Sequence, residues 1–375
     1  MPRYGIVSLL PRPAPTQFPR FSSFYDAIGR NTGNLLFTNA AWRQVGGDKE
    51  RLNFVFDPDR ANAEFDAVVI PAANWVNPGV DFGHVADGIE KLKIPVVVIG
   101  LGAQNAGYDV DIPLHEGMKR FLRAVFDRAA SVSVRGEFTK DVLARLGYRN
   151  TQVTGCPSLY CDFRSFREPK LEAFDLKRSL IHATRYSASH APYAREETPN
   201  RALFRFAYAE GIDLLYQSEL EELALLFGFD EHDIFNDRTL MLIQEVYGAT
   251  DWASLATYIR EAGRTYVDVD EWSAAMTSYQ FVYGTRLHGT IMALNSGVPA
   301  VLLHHDSRTR EMAEFAAIPH IDANRADISP RGIRRAYEKL NLGKYYRRRE
   351  ENRAAYEDFL RENSVVTSDP RTIIK

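Results

Sequence analysis

Arg286 and His288 are the residues of this 375-residue chain whose types and spacing point most directly to chemistry. They lie in Thr-Arg-Leu-His-Gly, between a short β-type run, Phe281 to Tyr283, and an apolar face carried at helical spacing by Leu287, Ile291 and Leu294. A helix start leaves backbone N–H groups unpaired and exposes the positive end of the helix dipole. A guanidinium that grips two oxygens and an imidazole that titrates near neutrality would converge on an anion there. Phosphate and carboxylate are the groups that fit. The same two residues could instead form a surface salt bridge and a hydrogen-bonded helix start, and the motif alone leaves that open.

The elements around this pair read as strand, helix, strand. Thr285 is expected to cap the helix, Gly297 to end it, Pro299 to prevent its return, and Ala300 to Leu303 to form a buried strand. The plan has a counterpart upstream. Ser131 to Val134 reads as a strand, Arg135 and Gly136 open a helix through Phe138, Val142, Leu143 and Leu146, and Gly147 closes it. An arginine just past a strand thus occurs in both halves. Arg135 and Arg286 could hold one dianion from opposite sides, or each could be structural. A third charged loop, His304 to Met312 with Arg308, again follows a strand; a solvated helix start capped by Asp306 or Ser307 is its plainer reading.

Apolar runs at Tyr4 to Leu10, Phe54 to Phe56, Asp66 to Ile70 and Val96 to Ile99 lack polar alternation, which implies strands covered on both faces and a parallel sheet. Two connections between them are polar and contain glycine. Gly29 to Asn34 precedes a helix that begins at Leu35, and Gly100 to Asn105 follows a strand; in open α/β sheets such turns line the ligand crevice. Asn31 and Asn34 are read as candidates for a polyhydroxyl ligand, with a cap and turn as the alternative. The Gly-Leu-Gly-Ala-Gln-Asn loop lacks the third glycine and the later acidic residue of a dinucleotide site, which argues against a nucleotide cofactor.

Strand candidates continue at Gln152 to Thr154, Leu180 to Ala183, Ile212 to Tyr216, Tyr266 to Val269 and Ile318 to Ile321, with helices between them such as Asp251 to Ala262. The expected fold class is α/β, with two Rossmann-like doubly wound domains over residues 1–168 and 169–343. Residues 344–375 are expected to form a C-terminal helix packing back on the body.

Composition excludes several classes. With 45% hydrophobic and 25% charged residues the chain is ordinary for a soluble globular protein, and 46 basic against 49 acidic residues offer no nucleic-acid surface over the whole chain. The apolar run at the N-terminus is too short for a signal h-region, and no window approaches the ~20 apolar residues of a membrane helix, so a cytoplasmic location is expected. Cys156 and Cys161 are the only cysteines and have no nearby histidine pair. Buried thiols are expected, with no disulfide framework and no metal site.

Taken in order, the motifs resemble the polysaccharide pyruvyl transferase family. The likeness is carried by Asn31 to Asn34, Gly100 to Gln104, Ser133 to Thr139, Val153 to Ser158, and Thr285 to Gly289 with Gly297, Val298 and Pro299. The resemblance implies a GT-B-like fold whose two domains face a cleft. It also implies transfer of a pyruvyl group from phosphoenolpyruvate to two hydroxyls of a sugar, forming a cyclic ketal and releasing phosphate in the synthesis of an envelope polysaccharide or exopolysaccharide. On that basis Arg286, His288 and Gly289 hold phosphoenolpyruvate, Arg135 opens the family's other basic motif, and Arg308 stands where many members carry a lysine. Asn31, Asn34 and Gln104 would address the sugar, and His288 is the first choice of general acid. No metal or organic cofactor is implied. The acceptor would be a sugar or oligosaccharide, free or lipid-linked, the second case placing the enzyme at the inner membrane face. A nucleotide-sugar glycosyltransferase and a noncatalytic glycan-binding protein on the same architecture are the competing readings.

Overall fold

The computed structural model describes residues 1–105, 109–162, 169, 171–184, 197–230 and 232–368. Arg3–Val7 (β1), Asp48–Leu52 (β2), Ala67–Pro71 (β3) and Val96–Ile99 (β4) form a sheet in the order β2-β1-β3-β4, with every ladder parallel. All positions of β3 and β4 are buried, as β-branched runs require when helices cover both faces. Val132–Val134 (β5) and Thr151–Val153 (β6) pair with each other and join the edge through a bridge between Leu101 and Val134. The strand expected at Phe54 to Phe56 is instead the charged run Asp48–Leu52. It is an edge strand, where charged side chains discourage further pairing, so it carries no apolar signal. Phe54 packs from the following loop, with its ring 5.9 Å from that of Trp75.

The second sheet comprises Ser179–His182 (β7), Asp213–Leu215 (β8), Gly263–Arg264 (β9), Phe281–Gly284 (β10), Ala300–His304 (β11) and His320–Asp322 (β12). Its order is β12-β11-β10-β7-β8-β9, again all parallel. The strand expected at Tyr266 to Val269 is absent: β9 ends at Arg264, and Val269 begins a helix capped by the Asp268 carboxylate. The chain is thus α/β with two Rossmann-like sheets. In each, the strand order reverses once, between β1 and β3 and between β7 and β10. Crossovers leave such a point toward opposite faces, which opens a crevice at the carboxyl ends of the strands. In the second half, the residues at that crevice are His182 and the segment Thr285 to His288.

Two helices tie the halves together. Helix Gly33–Gln44 belongs to the first half, where Gln44 Nε2 donates to the Pro157 carbonyl (3.0 Å), yet Arg43 pairs with Asp270 (2.7 Å) on helix Val269–Met276 of the second. The C-terminal helix Gly343–Glu362 runs back over the first half. Tyr356 stacks on Tyr160, with centroids 4.9 Å apart, and donates to Gln44 Oε1, while Thr367 bridges to Val45. Arg349, 2% exposed, donates to the carbonyls of Leu159 (2.8 Å) and Cys161 (3.1 Å) and to the Asp162 carboxylate (2.6 Å). The expected boundary at residues 168 and 169 adjoins residues 163–168, which lie outside the described residues, as do residues 369–375.

Without Arg349 the buried carbonyls of Leu159 and Cys161 lose their donor, while Asp162 keeps Arg353, so Arg349→Ala is expected to cost about 1–3 kcal/mol of stability. Urea denaturation reads this as a lower midpoint at unchanged slope; a cost near zero would show that water replaces the guanidinium.

Candidate active site

Helix Leu287–Asn295 starts one step later than its sequence suggests. Arg286, not Thr285, is the N-cap residue. The Thr285 hydroxyl lies 2.6 Å from Asn200 Oδ1 and accepts the Thr184 N–H (3.2 Å). The Arg286 N–H donates to His182 Nδ1 at 2.9 Å, so the imidazole that ends β7 does the work of a capping side chain. Burial, then the charge of Arg286, holds the His182 pKa down at about 3 and keeps that acceptor neutral. Gly289 faces the same ring: a Cβ there would stand 3.0 Å from His182 Cδ2, so this glycine makes room for the capping histidine.

The Arg286 side chain is buried and held. Its Nε donates to the Ala183 carbonyl (3.0 Å), and its Nη2 donates to Ser218 Oγ (2.6 Å) and to the Glu219 carboxylate. The other Glu219 oxygen accepts the backbone N–H groups of Gln217 (2.9 Å) and Ser218 (3.1 Å), so the buried carboxylate is paired on both sides. Arg135, 1% exposed, reaches the same region from the first half. It donates to the carbonyls of Gly100 (2.9 Å) and Ala72 (3.2 Å) and to Asn74 Oδ1 (2.7 Å), gathering the ends of β3 and β4. Gly102 makes room for it, since a Cβ there would lie 2.9 Å from Arg135 Cδ. The glycine-rich loop, which was expected to approach a ligand, approaches this arginine.

His288 sits between them. Its ring stacks on Phe37 at 5.7 Å, and the Arg135 guanidinium lies 5.8 Å from the centre of the same ring. Cys156 Sγ is 3.8 Å from His288 Nε2. Burial, followed by the charges of Arg135, Arg308 and Arg286, drives the imidazole well below its usual 6.5, so it is neutral here. Arg286 has Glu219 and Arg308 has Asp306, at 3.5 Å, whereas the hydrogen bonds of Arg135 all go to neutral oxygens. Glu311 acts on Arg135 only through space, its carboxylate accepting from the Thr139 N–H and hydroxyl.

Gln104 is a link across the interface. Its Oε1 accepts from Asn74 (3.3 Å) and its Nε2 donates to Asp306 Oδ2 (3.2 Å). Burial raises the Asp306 pKa, but Arg308, His305 and the Thr309 hydrogen bonds outweigh it and hold the carboxyl at about 2. Asn31 and Asn34 shape the turn before helix Gly33–Gln44. Asn31 Oδ1 accepts the Gly33 N–H (2.8 Å), and Asn34 Nδ2 donates to the Gly29 carbonyl (2.8 Å). The structure thus brings together Arg135, Arg286, His288 and Arg308, with Gln104 one residue removed and Asn31 at the rim. It uses Gly289 and Asn34 for packing and turn formation.

Sequence reading missed His182, Gln217, Glu219 and Asn74; Cys156, expected as a buried thiol, is one, and it lies beside His288. Glu219 and Gln217 follow β8 in a Tyr-Gln-Ser-Glu stretch whose position after a strand was the only local signal. Among the described residues no group of three or more His, Cys, Asp or Glu side chains could hold a metal ion, and no helix is long and apolar enough to cross a membrane.

Fold and site together define an α/β protein of two Rossmann-like halves in the GT-B manner, with cationic side chains from both halves meeting at the interface. A model of the polysaccharide pyruvyl transferases matches residues 14–307, and the chain belongs to that family of transferases. In structure it is similar to a UDP-N-acetylglucosamine 2-epimerase from Rickettsia bellii, at 10% identity over 96% of this chain and 95% of that one with a TM-score of 0.47. It is also similar to a UDP-GlcNAc 2-epimerase from Neisseria meningitidis bound to UDP-GlcNAc (11% identity, 96% and 100% covered, TM-score 0.46). The BGT of T4 phage in complex with UDP-glucose is a third (9% identity, 97% and 100% covered, TM-score 0.41). A sequence search of curated proteins finds no match.

A histidine whose pKa is near 6.5 unfolded and about 3 folded takes up a proton on unfolding at any pH between those values. The His182 contribution is therefore complete above pH 6.5 and is lost as pH falls toward 3, at up to about 1.4 kcal/mol per pH unit. His182→Asn, whose Oδ1 can accept the Arg286 N–H, is expected to flatten that acid limb in unfolding measurements taken across the window. An unchanged limb would show that His182 is already protonated in the fold.

Proposed function

We propose that this protein transfers a pyruvyl group from phosphoenolpyruvate to two hydroxyls of a sugar in a polysaccharide or its precursor, forming a cyclic ketal and releasing phosphate. The observation that carries this reading is the convergence of Arg135, Arg308 and Arg286 on one buried imidazole, with fewer ionic partners than guanidiniums. An excess of buried positive charge is costly unless an anion completes it. Phosphoenolpyruvate brings a carboxylate and a phosphate, two planar or near-planar oxygen sets that suit guanidinium forks.

In this scheme the donor binds at the switch point of the second sheet, against Arg286, His288 and Arg308, and Arg135 closes on it from the first half. The sugar approaches from the carboxyl ends of β1 and β3, on the side of Asn31 and Gln104. The reaction adds a proton to the donor methylene carbon, making it a methyl group. The donor's central carbon then forms bonds to two sugar oxygens, whose protons leave, and its bond to the phosphate oxygen breaks. His288 is assigned the proton delivery. Burial and the guanidiniums hold His288 neutral; in this scheme the negative charge of the donor offsets the guanidiniums and raises the proton affinity of the imidazole beside it. Donor binding thereby charges the acid.

His288→Ala and Arg286→Ala are each expected to abolish phosphate release from phosphoenolpyruvate in the presence of a suitable glycan, with the fold retained by circular dichroism. Near-normal turnover in either variant removes that residue from the scheme. Thermal stabilisation of the wild-type protein by UDP, with none by phosphoenolpyruvate, would point to a nucleotide-sugar donor instead.

A further inference from the structure

Gln217 is a buried polar residue at this crevice to which neither the family motifs nor the scheme above gives a task. It follows β8 at its carboxyl end and is 1% exposed. Its backbone is fully engaged: the N–H donates to Glu219 Oε2 (2.9 Å), and the carbonyl accepts from the Thr32 N–H (2.8 Å) at the start of helix Gly33–Gln44. The residue is therefore pinned between the two halves. Its side chain is not. Nε2 is buried with no hydrogen-bond partner among the described residues. An unpaired buried donor costs on the order of 1–3 kcal/mol, and where one persists in a native fold a ligand or ion often supplies the partner.

The amide lies against Gly33. A Cβ built on that glycine would lie 2.6 Å from Gln217 Nε2, 3.0 Å from His288 Nδ1 and 3.0 Å from Asn31 Oδ1. Three polar atoms from three segments thus surround one point over the first residue of a twelve-residue helix, where the helix dipole is positive. Asn31 Oδ1 is already engaged by the Gly33 N–H. Gln217 Nε2 and His288 Nδ1 are the other two atoms at that point, and Nε2 has no partner among the described residues.

We propose that Gln217 is a further donor-contacting residue: its side-chain amide hydrogen-bonds an oxyanion oxygen of the dianionic donor beside His288, and Gly33 lacks a side chain because a Cβ would stand between them. This assignment rests on phosphoenolpyruvate being the donor. It makes Glu219 a positioning residue twice over, since one carboxylate holds both Arg286 and the backbone of Gln217.

Gln217→Met keeps the length and apolar bulk of the side chain and removes its donors. The unliganded variant is expected to melt at or above the wild-type temperature, because an unpaired buried amide is gone. Its dissociation constant for phosphoenolpyruvate, by calorimetry, is expected to rise about tenfold or more, the worth of a hydrogen bond to a charged group. KM should rise with it while kcat changes less, and Gly33→Ala should weaken the donor in the same way. Donor affinity retained in full by Gln217→Met overturns this assignment alone. Wild-type protein that phosphoenolpyruvate neither binds nor stabilises overturns the reading of the donor, and this assignment with it.

Discussion

The structure turns on keeping several guanidiniums and a neutral imidazole out of water at one interface. A buried ion stripped of its partner costs about 3–5 kcal/mol, so each cation here is tied to specific oxygens. Arg286 has a carboxylate that is itself anchored by two backbone N–H groups. Arg135 has two strand-end carbonyls and an asparagine. Arg308 has Asp306, which Gln104 joins to that asparagine. The Gln104–Asp306 bond crosses from one half to the other, as do the bonds of Thr139 to Glu311, so polar as well as apolar contacts build the interface.

Strand order explains why the cations meet where they do. Each sheet reverses direction once, and only there do loops at the carboxyl ends diverge enough to leave a crevice. His182 and the Arg286 segment flank the reversal of the second sheet. The ends of β3 and β4 lie beside that of the first. Helix Gly33–Gln44 places its first turn against His288 and its last against the C-terminal helix. The tail then fixes the relation of the halves through Arg349 and Tyr356, each bonded to residues of the first half.

The same crowding assigns a state to each histidine. His182 is neutral because burial, and then the charge of Arg286, disfavour its protonation, which leaves Nδ1 able to accept the Arg286 N–H. His288 is neutral because burial disfavours its charged form and the charges of Arg135, Arg308 and Arg286 add to that. The first serves as a cap and the second stands among cations, although both carry the same side chain and both are buried.

Sequence by itself determined the repeating strand-helix plan, the parallel sheets and the segments bearing Arg135, Arg286 and His288, because continuous β-branched runs and helical spacing are local signals that burial on both faces requires. It misplaced the charged edge strand Asp48–Leu52 and the two-residue β9, since strands at an edge need no apolar run. Only the tertiary structure decided which polar groups face one another. Glu219 meets Arg286 across 67 residues, Gln104 meets Asp306 across 202, and His182 takes the capping role that Thr285 was expected to fill. Such pairs leave no mark in local composition: an ion pair or cap is selected by distance and desolvation, which exist only once the strands have been brought side by side.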